Sequence, residues 1–544
     1  MTGAIRARAE TAPQDLALAD DSRTRTWAEV AQDLERAAGA LLAAAPQSAQ
    51  RVSVVGENAI PTLEAHAAAL TVGVGAVATS RQLRANELAD QYADAGVVAA
   101  ITGAGSLPAV REAAEVAGVH TLVGHGTEPQ GPADGVLTWD EWLRAAPPVP
   151  PDAGQRPPCP PLVYTSGTTG RARGAEVRWT VTLPGTAAEY VAAITAESAF
   201  PSGPHLVVGP LQHNAPLTSV RHLLSGEPVI ILGRFDAEAI LRLIQAYRIT
   251  SSVMVPTHMQ RLLALPVEIR ERYDVSSMRM ISQTGSACPA GTKLAMIEWF
   301  GPILVESYGG SESGTLCRID SREWLAHRGS VGRPRSPYQV VVLDEDGREL
   351  SPREVGVLGF RAPEGRGPRY HADPEKTKNA YIAPGVFTLG DVGYVDEDGY
   401  VYITDRIADM VVSGGVNLYP AESEKVLAGH PGIAEVAVIG VPHPDLGESL
   451  LALIVPSGDP PDPAELEAYA RERLAPYKVP RAYEFRAELI YNAMGKPDKV
   501  MVKGQPVFVC CEGCVDDVKE NEAATLAKVE KLKAKVKAEK GARP

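Results

Sequence analysis

The stretch that most constrains this chain is Val163-Tyr164-Thr165-Ser166-Gly167-Thr168-Thr169-Gly170-Arg171-Ala172-Arg173-Gly174. Glycines at 167, 170 and 174 let the backbone turn tightly and approach a ligand without Cβ interference. The apolar entry, Leu162 and Val163, reads as the end of a strand. The segment is therefore expected to be a strand followed by a loop. Its backbone N–H groups, the hydroxyls of Thr165, Ser166, Thr168 and Thr169, and two arginines all suit phosphate oxygens. The spacing is not that of a Walker A loop. By composition alone the same string also suits a flexible Gly/Thr surface turn, so the rest of the chain must supply partners for a phosphorylated ligand.

At 544 residues the chain is too long for one core, and two or three domains are expected. Its 45% hydrophobic and 22% charged residues are ordinary for a globular protein. A net charge of −14 argues against nucleic acid and anionic membranes as general partners. An anionic ligand must then be held by local positive charge, a metal cation and loop N–H groups. Met1–Leu18 mixes Arg, Glu and Asp without an apolar core, so no signal peptide is expected. The apolar run Ala68–Ala78 is too short to span a bilayer. Cysteines scattered at 159, 288 and 317 fit a reducing, cytoplasmic location.

Apolar runs and helical patterns alternate from residue 25 to about 145. Val52–Val55 and Val97–Ile101 read as buried strands, Ala28–Ala44 and Pro61–Leu70 as helices, which favours a parallel sheet with crossover helices. Pro147–Pro161 is proline-rich and reads as an extended connector. A second series follows the glycine loop: Leu206–Val208, Val229–Leu232, Ser252–Val255 and Met278–Ser282 as strands, Phe235–Tyr247 as a helix. Later, Val340–Asp344, Gly356–Arg361 and Val386–Leu389 suggest a small β subdomain. Ala434–Gly440, Leu450–Val455 and a helix from Pro463 to Leu474 suggest a terminal α+β unit.

Five motifs in this order resemble those of the adenylate-forming superfamily, which includes acyl-CoA synthetases, peptide-synthetase adenylation domains and luciferases. The likeness covers roughly residues 10–500. It implies an α/β fold, with a large N-terminal domain of αβ-layered sheets (1–404) and a small mobile α+β domain (405–500). It also implies an ATP-dependent acid–CoA ligase using Mg²⁺: a carboxylate is activated as acyl-adenylate with pyrophosphate release, then passed to CoA. By resemblance Thr165, Ser166, Gly167, Thr168, Thr169, Gly170 and Arg173 cradle phosphates, with Arg173 standing where the family usually has Lys. His213, in His213-Asn214-Ala215-Pro216, lines the acyl site. Gly285, Ser286 and Ala287 pack on adenine, and Cys288 beside them reads as a packing residue. In Glu306-Ser307-Tyr308-Gly309-Gly310-Ser311-Glu312, Tyr308 stacks on adenine with Gly309 close by, Ser311 meets phosphate and Glu312 holds Mg²⁺, for which a hard oxygen ligand is suited. Asp391 accepts the ribose hydroxyls, Arg406 contacts ribose or phosphate, and Gly414 and Gly415 admit the pantetheine arm. Lys496 stabilises the first transition state. Ala408 stands at the family's domain pivot, where Asp or Lys is usual.

After residue 498 the composition changes: 1–498 contain six lysines, whereas the last 46 residues contain nine. Cys510, Cys511 and Cys514 resemble half of a YHS/TRASH-type metal module, and Asn521–Lys540 reads as an amphipathic helix. The expected third segment is thus a Cys-containing helical tail, 501–544. His213 with Gly309 and Gly310 suggests a deep apolar pocket, hence a medium- or long-chain or bulky hydrophobic acid. Rival readings are an enzyme loading carrier-protein phosphopantetheine and a catalytically silent nucleotide- or metal-binding protein. The small-molecule partners are an acid, ATP and CoA, with a homodimer allowed.

Overall fold

The valine-rich runs do pair in parallel. In the computed structural model a seven-stranded sheet has the spatial order Val136–Thr138, Thr121–His125, Val97–Gly103, Arg51–Val55, Gly75–Thr79, Leu162–Thr165, Arg173–Glu176. Every neighbouring pair is parallel except the last. The structure describes the chain except residues 1, 48–49, 127–134, 166–172, 181–182, 197–199, 345, 364–365, 372, 407–410, 414–415, 419, 444–445, 475, 490–499, 503–504 and 508–544. Side chains 165, 173, 376, 405, 406, 412, 416, 417, 442, 447, 448, 500–502 and 505–507 are also outside the description.

A second, nine-stranded sheet runs Arg333–Pro334, Gly314–Asp320, Leu304–Gly310, Met280–Gln283, Ser251–Met254, His205–Val207, Val229–Ile231, Leu16–Ala19, Thr24–Thr26. Its six central strands are parallel and both edges turn antiparallel. The chain moves outward to one side from His205–Val207 to Val229–Ile231, then returns to place Ser251–Met254 on the other side. The order therefore reverses between His205–Val207 and Ser251–Met254, and crevices at the carboxyl ends of strands at such a reversal are where α/β sheets bind ligands.

Helix Ile60–Thr71 is buried at every position. Asp20 Oδ2 accepts from its first backbone N–H, Ile60 N, at 2.9 Å, which satisfies a donor no intrahelical carbonyl can reach. Helix Trp27–Ala44 opens on a Thr26/Glu29 capping box and packs on it. Asn58, just before the buried helix, ties the two sheets together. Its Nδ2 donates to Gly209 O and Leu232 O, both at 3.0 Å, and its Oδ1 accepts from Leu211 N at 3.0 Å. Gln212 Nε2 adds a bond to Ser80 Oγ at 3.2 Å.

The β subdomain has the order Gln339–Leu343, Gly356–Arg361, Val386–Val395, Tyr381–Ala383, with Val401–Arg406 pairing to Val386–Val395. The chain divides into two units, Met1–Ile403 and Thr404–Pro544. The described part of the second contains a sheet ordered Val416–Leu418, Val411–Ser413, Gly447–Pro456, Ile433–His443, with Ala482–Phe485 beside Gly447–Pro456, and a separate strand pair, Val500–Val502 with Gln505–Val507. Leu427, Ile454 and Leu466 fill its core against helices Pro420–Leu427 and Pro463–Arg471. Cys510, Cys511, Cys514 and the expected helix Asn521–Lys540 lie outside the described residues.

Glu64, in the middle of the buried helix, is fully buried, and among the described residues neither carboxylate oxygen has a well-formed hydrogen bond, the Trp139 indole being the nearby donor. Burial, reinforced by Asp33 and only partly offset by Arg23 and Arg25, pushes its pKa from 4.5 to about 8. The native state thus keeps a proton that the unfolded chain releases above pH 4.5, so this residue costs stability progressively as pH rises to about 8. Glu64→Gln is expected to match the parent near pH 4.5 and to be more stable at pH 7, by on the order of 3 kcal/mol as an upper bound. Melting temperatures of both proteins across that range check this; a constant difference at all pH values would contradict it.

Candidate active site

The strands on either side of the expected phosphate loop pair with each other as a hairpin. Strands Leu162–Thr165 and Arg173–Glu176 are antiparallel with Thr165 opposite Arg173. The return strand is a departure from the expected strand-then-loop, and it places Arg173 at the loop's base. Ser166, Gly167, Thr168, Thr169 and Gly170 lie outside the described residues, as do the side chains of Thr165 and Arg173.

The second motif is also a hairpin. Strand Leu304–Gly310 turns through Ser311-Glu312-Ser313 and returns as Gly314–Asp320. Glu312 therefore sits at the tip of a tight turn. A Cβ on Gly309 would collide with the backbone carbonyl of Gly314, so glycine is needed here for strand pairing. On Gly310 it would lie 2.8 Å from Glu312 Oε2. These two glycines thus serve the turn and the carboxylate, a different reason for their small size than the open apolar pocket expected from sequence.

Asp391, expected to accept the ribose hydroxyls, lies inside strand Val386–Val395 after Gly390 at φ +80°, and is 3% exposed. Tyr308 Oη donates to Asp391 Oδ2 at 2.5 Å. The adenine-loop residues join the same place: Thr284 Oγ1 donates to Ser307 O at 3.0 Å, and Gln283 Nε2 holds Ser286 O at 2.9 Å. Gly285 adopts φ +94°, and a Cβ there would lie 3.2 Å from Val255 Cγ1. Ser286 and Ala287 are exposed. Beneath this surface Lys293, 1% exposed, pairs with Glu306 and lies 4.6 Å from the Trp324 ring centroid. Burial raises the Glu306 pKa and Lys293 opposes the shift. Burial, then Glu306, push the Cys288 thiol up to about 12, so at neutral pH it is a protonated packing group rather than a nucleophile.

His213 caps the short helix Asn214–Leu217 at the strand-order reversal. Its neighbour Asn214 accepts from Trp179 Nε1 at 3.2 Å, and Trp179 lies just beyond the phosphate hairpin. Three residues outside the recognised motifs belong to this region. Trp179 is one. His258, stacked on Phe235 at 4.8 Å, faces Gly209 across the reversal. Burial, then Arg261, lower its pKa to about 4, so it is neutral at pH 7. Tyr370 is the third, and its Oη donates to Glu312 Oε1 at 3.1 Å. Its backbone pairs with Ala175 of the phosphate hairpin. A lone Tyr or His without motif spacing gives no signal in sequence.

The first unit therefore brings together the hairpin base, Glu312, Tyr308, Asp391 and the 284–287 loop. Arg406 ends strand Val401–Arg406, but its side chain is outside the described residues. In the second unit Ser413 lies opposite Val416, while Gly414, Gly415 and Lys496 are outside the described residues. Glu422 is ion-paired with Lys478.

The AMP-binding enzyme family matches residues 5–367, and the AMP-binding enzyme C-terminal domain matches 422–496. The chain belongs to the AMP-binding enzyme family. It is an enzyme of the AMP-forming acid–thiol ligase class. A feruloyl-CoA synthase from Amycolatopsis sp is 34% identical over 497 residues, covering 90% of this chain and 95% of that one. A methyl-dioxo-octahydro-indenyl-propanoyl:CoA ligase from Mycobacterium tuberculosis is 31% identical over 511 residues, covering 90% and 96%. The structure of ATP-bound MatB from Rhodopseudomonas palustris superimposes with a TM-score of 0.75 at 27% identity, covering 91% and 97%. The family matches end at Lys496, so 497–544 fall beyond both. Among the described residues no helix is long and apolar enough to cross a membrane.

The two neighbouring glycines of the second hairpin should behave differently. Gly309→Ala forces backbone apart and is expected to cost about 1–3 kcal/mol of stability. Gly310→Ala meets only a side-chain carboxylate, so stability should change by less than about 0.5 kcal/mol while ATP-dependent activity falls. Paired melting and rate measurements test this; equal destabilisation by both would contradict it.

Proposed function

We propose that this enzyme joins a medium- or long-chain or bulky hydrophobic carboxylic acid to CoA, with ATP as the energy-giving substrate. The observation that carries the reading is the convergence of Tyr308–Asp391 and Glu312–Tyr370–Ala175 at one place beside the phosphate hairpin. In the first step the substrate carboxylate oxygen attacks the α-phosphorus of ATP; an O–P bond forms, pyrophosphate leaves, and an acyl-adenylate results. Asp391 would take the ribose hydroxyls, a task for a carboxylate with two acceptor oxygens. On this reading Tyr308 offers its ring face to adenine and exchanges or keeps its bond to Asp391.

A tight turn that presents Glu312, its Oε1 held by Tyr370, suits a hard divalent cation such as Mg²⁺. When bound, Mg²⁺ neutralises charge on the triphosphate and on the leaving pyrophosphate. Glycines, hydroxyls and arginines of 165–173 would hold the phosphate oxygens, and Lys496 would meet charge developing at the α-phosphate. In the second step the CoA thiol attacks the acyl carbonyl, AMP leaves, and the thiol proton goes to solvent. Residues 405–500 would act as a small domain turning about Ala408, with Gly414 and Gly415 beside the pantetheine arm. One site used for two steps requires such rearrangement. A cytoplasmic location and a tail at 501–544 separate from the chemistry complete the reading.

CoA as acceptor is supported by the relatives named as CoA synthases and ligases. The feruloyl and bicyclic acids of those relatives, with the Trp179 and His258 rings near the strand-order reversal, favour a bulky acid. The test is ATP–pyrophosphate exchange with fatty, cinnamic-type and bicyclic acids, followed by mass analysis of products formed with CoA or with a phosphopantetheinylated carrier protein. Exchange with a bulky or long-chain acid and a CoA thioester are expected, with Glu312→Gln lowering exchange by about 10²-fold or more. No exchange with any acid would overturn the reading; acyl transfer only to the carrier protein would replace its acceptor.

A further inference from the structure

Residues 366–371, between strand Gly356–Arg361 and helix Pro374–Asn379, make a strap whose two edges touch two different parts of the candidate site. On one edge it joins the phosphate hairpin by backbone: Tyr370 pairs with Ala175, and His371 N donates to Gly174 O at 2.7 Å. On the other it braces the Glu312 turn twice. Tyr370 Oη donates to Glu312 Oε1 at 3.1 Å. Arg366 Nε donates to Tyr338 Oη at 2.7 Å, and Tyr338 Oη in turn donates to Ser313 O at 3.1 Å. The start of the following helix fixes the strap, since Tyr370 N donates to Thr377 Oγ1 at 3.1 Å.

A carboxylate at the tip of a turn can rotate about its own torsions, and a cation ligand must not. Tyr370 restricts that freedom by donating to Oε1; on the proposed reading Oε2 is the oxygen that meets the cation. The same residue is paired by backbone to Ala175, which fixes where the phenol stands. We infer that Tyr370 is a positioning residue that orients Glu312 for Mg²⁺. This rests on the proposed role of Glu312 as the metal ligand, and it adds a residue that would touch neither nucleotide nor metal.

The test is Tyr370→Phe, which deletes one oxygen and keeps the ring and the backbone pairing. Mn²⁺ serves as a paramagnetic probe, with free ion counted by electron paramagnetic resonance in the presence of saturating ATP. Loss of an outer partner to a metal ligand typically weakens metal affinity about 10- to 100-fold, and that loss is expected here. The Mg²⁺ concentration for half-maximal pyrophosphate exchange should rise in parallel, and the rate at saturating Mg²⁺ should recover towards the parent value. Glu312→Gln, measured beside it, separates the two levels of the argument. If Glu312→Gln binds Mn²⁺ as the parent does, the metal-ligand reading itself fails. If Glu312→Gln weakens Mn²⁺ and Tyr370→Phe does not, the present inference alone is overturned. The double variant should be no weaker than Glu312→Gln, because the two groups act as one unit; additive losses would also overturn it. A Tyr370→Phe protein with lowered rate but parent-like Mn²⁺ affinity would mark the strap as merely structural.

Discussion

Asn58 is the small side chain on which the architecture of the large unit turns. With two donor hydrogens and one carbonyl oxygen it satisfies Gly209 O, Leu232 O and Leu211 N, groups at the carboxyl ends of strands in the nine-stranded sheet. It lies itself at the carboxyl end of Arg51–Val55 in the seven-stranded sheet. Three bonds from one side chain thus bring the ligand-facing ends of two parallel sheets to a common edge. Gln212 repeats the link one loop away by reaching Ser80. Unmet, the buried backbone groups in this edge would each cost about 1–3 kcal/mol.

From that edge, the chemistry is delivered by hairpins. Parallel strands end in loops that are free to vary, but here the strands flanking both glycine-rich segments pair antiparallel with each other, Leu162–Thr165 with Arg173–Glu176 and Leu304–Gly310 with Gly314–Asp320. Glycine at 309 allows the second fold-back, and the buried Lys293–Glu306 pair anchors the strand behind Tyr308. Such a pair contributes little net stability against an apolar substitute, but breaking it by removing one partner leaves a buried charge and is costly. Its effect is to hold one register of helix Ala290–Phe300 against the strand that carries Tyr308.

Much of this was readable in the residues because it is local. Runs such as Val52–Val55 and Val229–Leu232 are short, apolar and β-branched, and both form strands within a residue of expectation. Gly-rich strings announce tight turns whatever surrounds them. What stayed hidden depends on partners distant in sequence. Asp391 looks like a turn residue because Gly precedes it, yet strand pairing absorbs that glycine and buries the carboxylate under Tyr308, 83 positions away. Tyr370 meets Glu312 across 58 positions and has no flanking pattern. The reason for small residues at 309 and 310 was likewise out of reach, because the obstructing atoms belong to the returning strand.

The account stands on a single nucleotide lying across these pieces, and the most direct measurement is a crystal structure of the enzyme with a non-hydrolysable ATP analogue and Mg²⁺. The prediction is adenine against Tyr308 and the 284–287 loop, ribose hydroxyls on Asp391, phosphates along 165–173 and the cation on Glu312. A nucleotide bound away from Tyr308 and Asp391, or a cation held without Glu312, would contradict it.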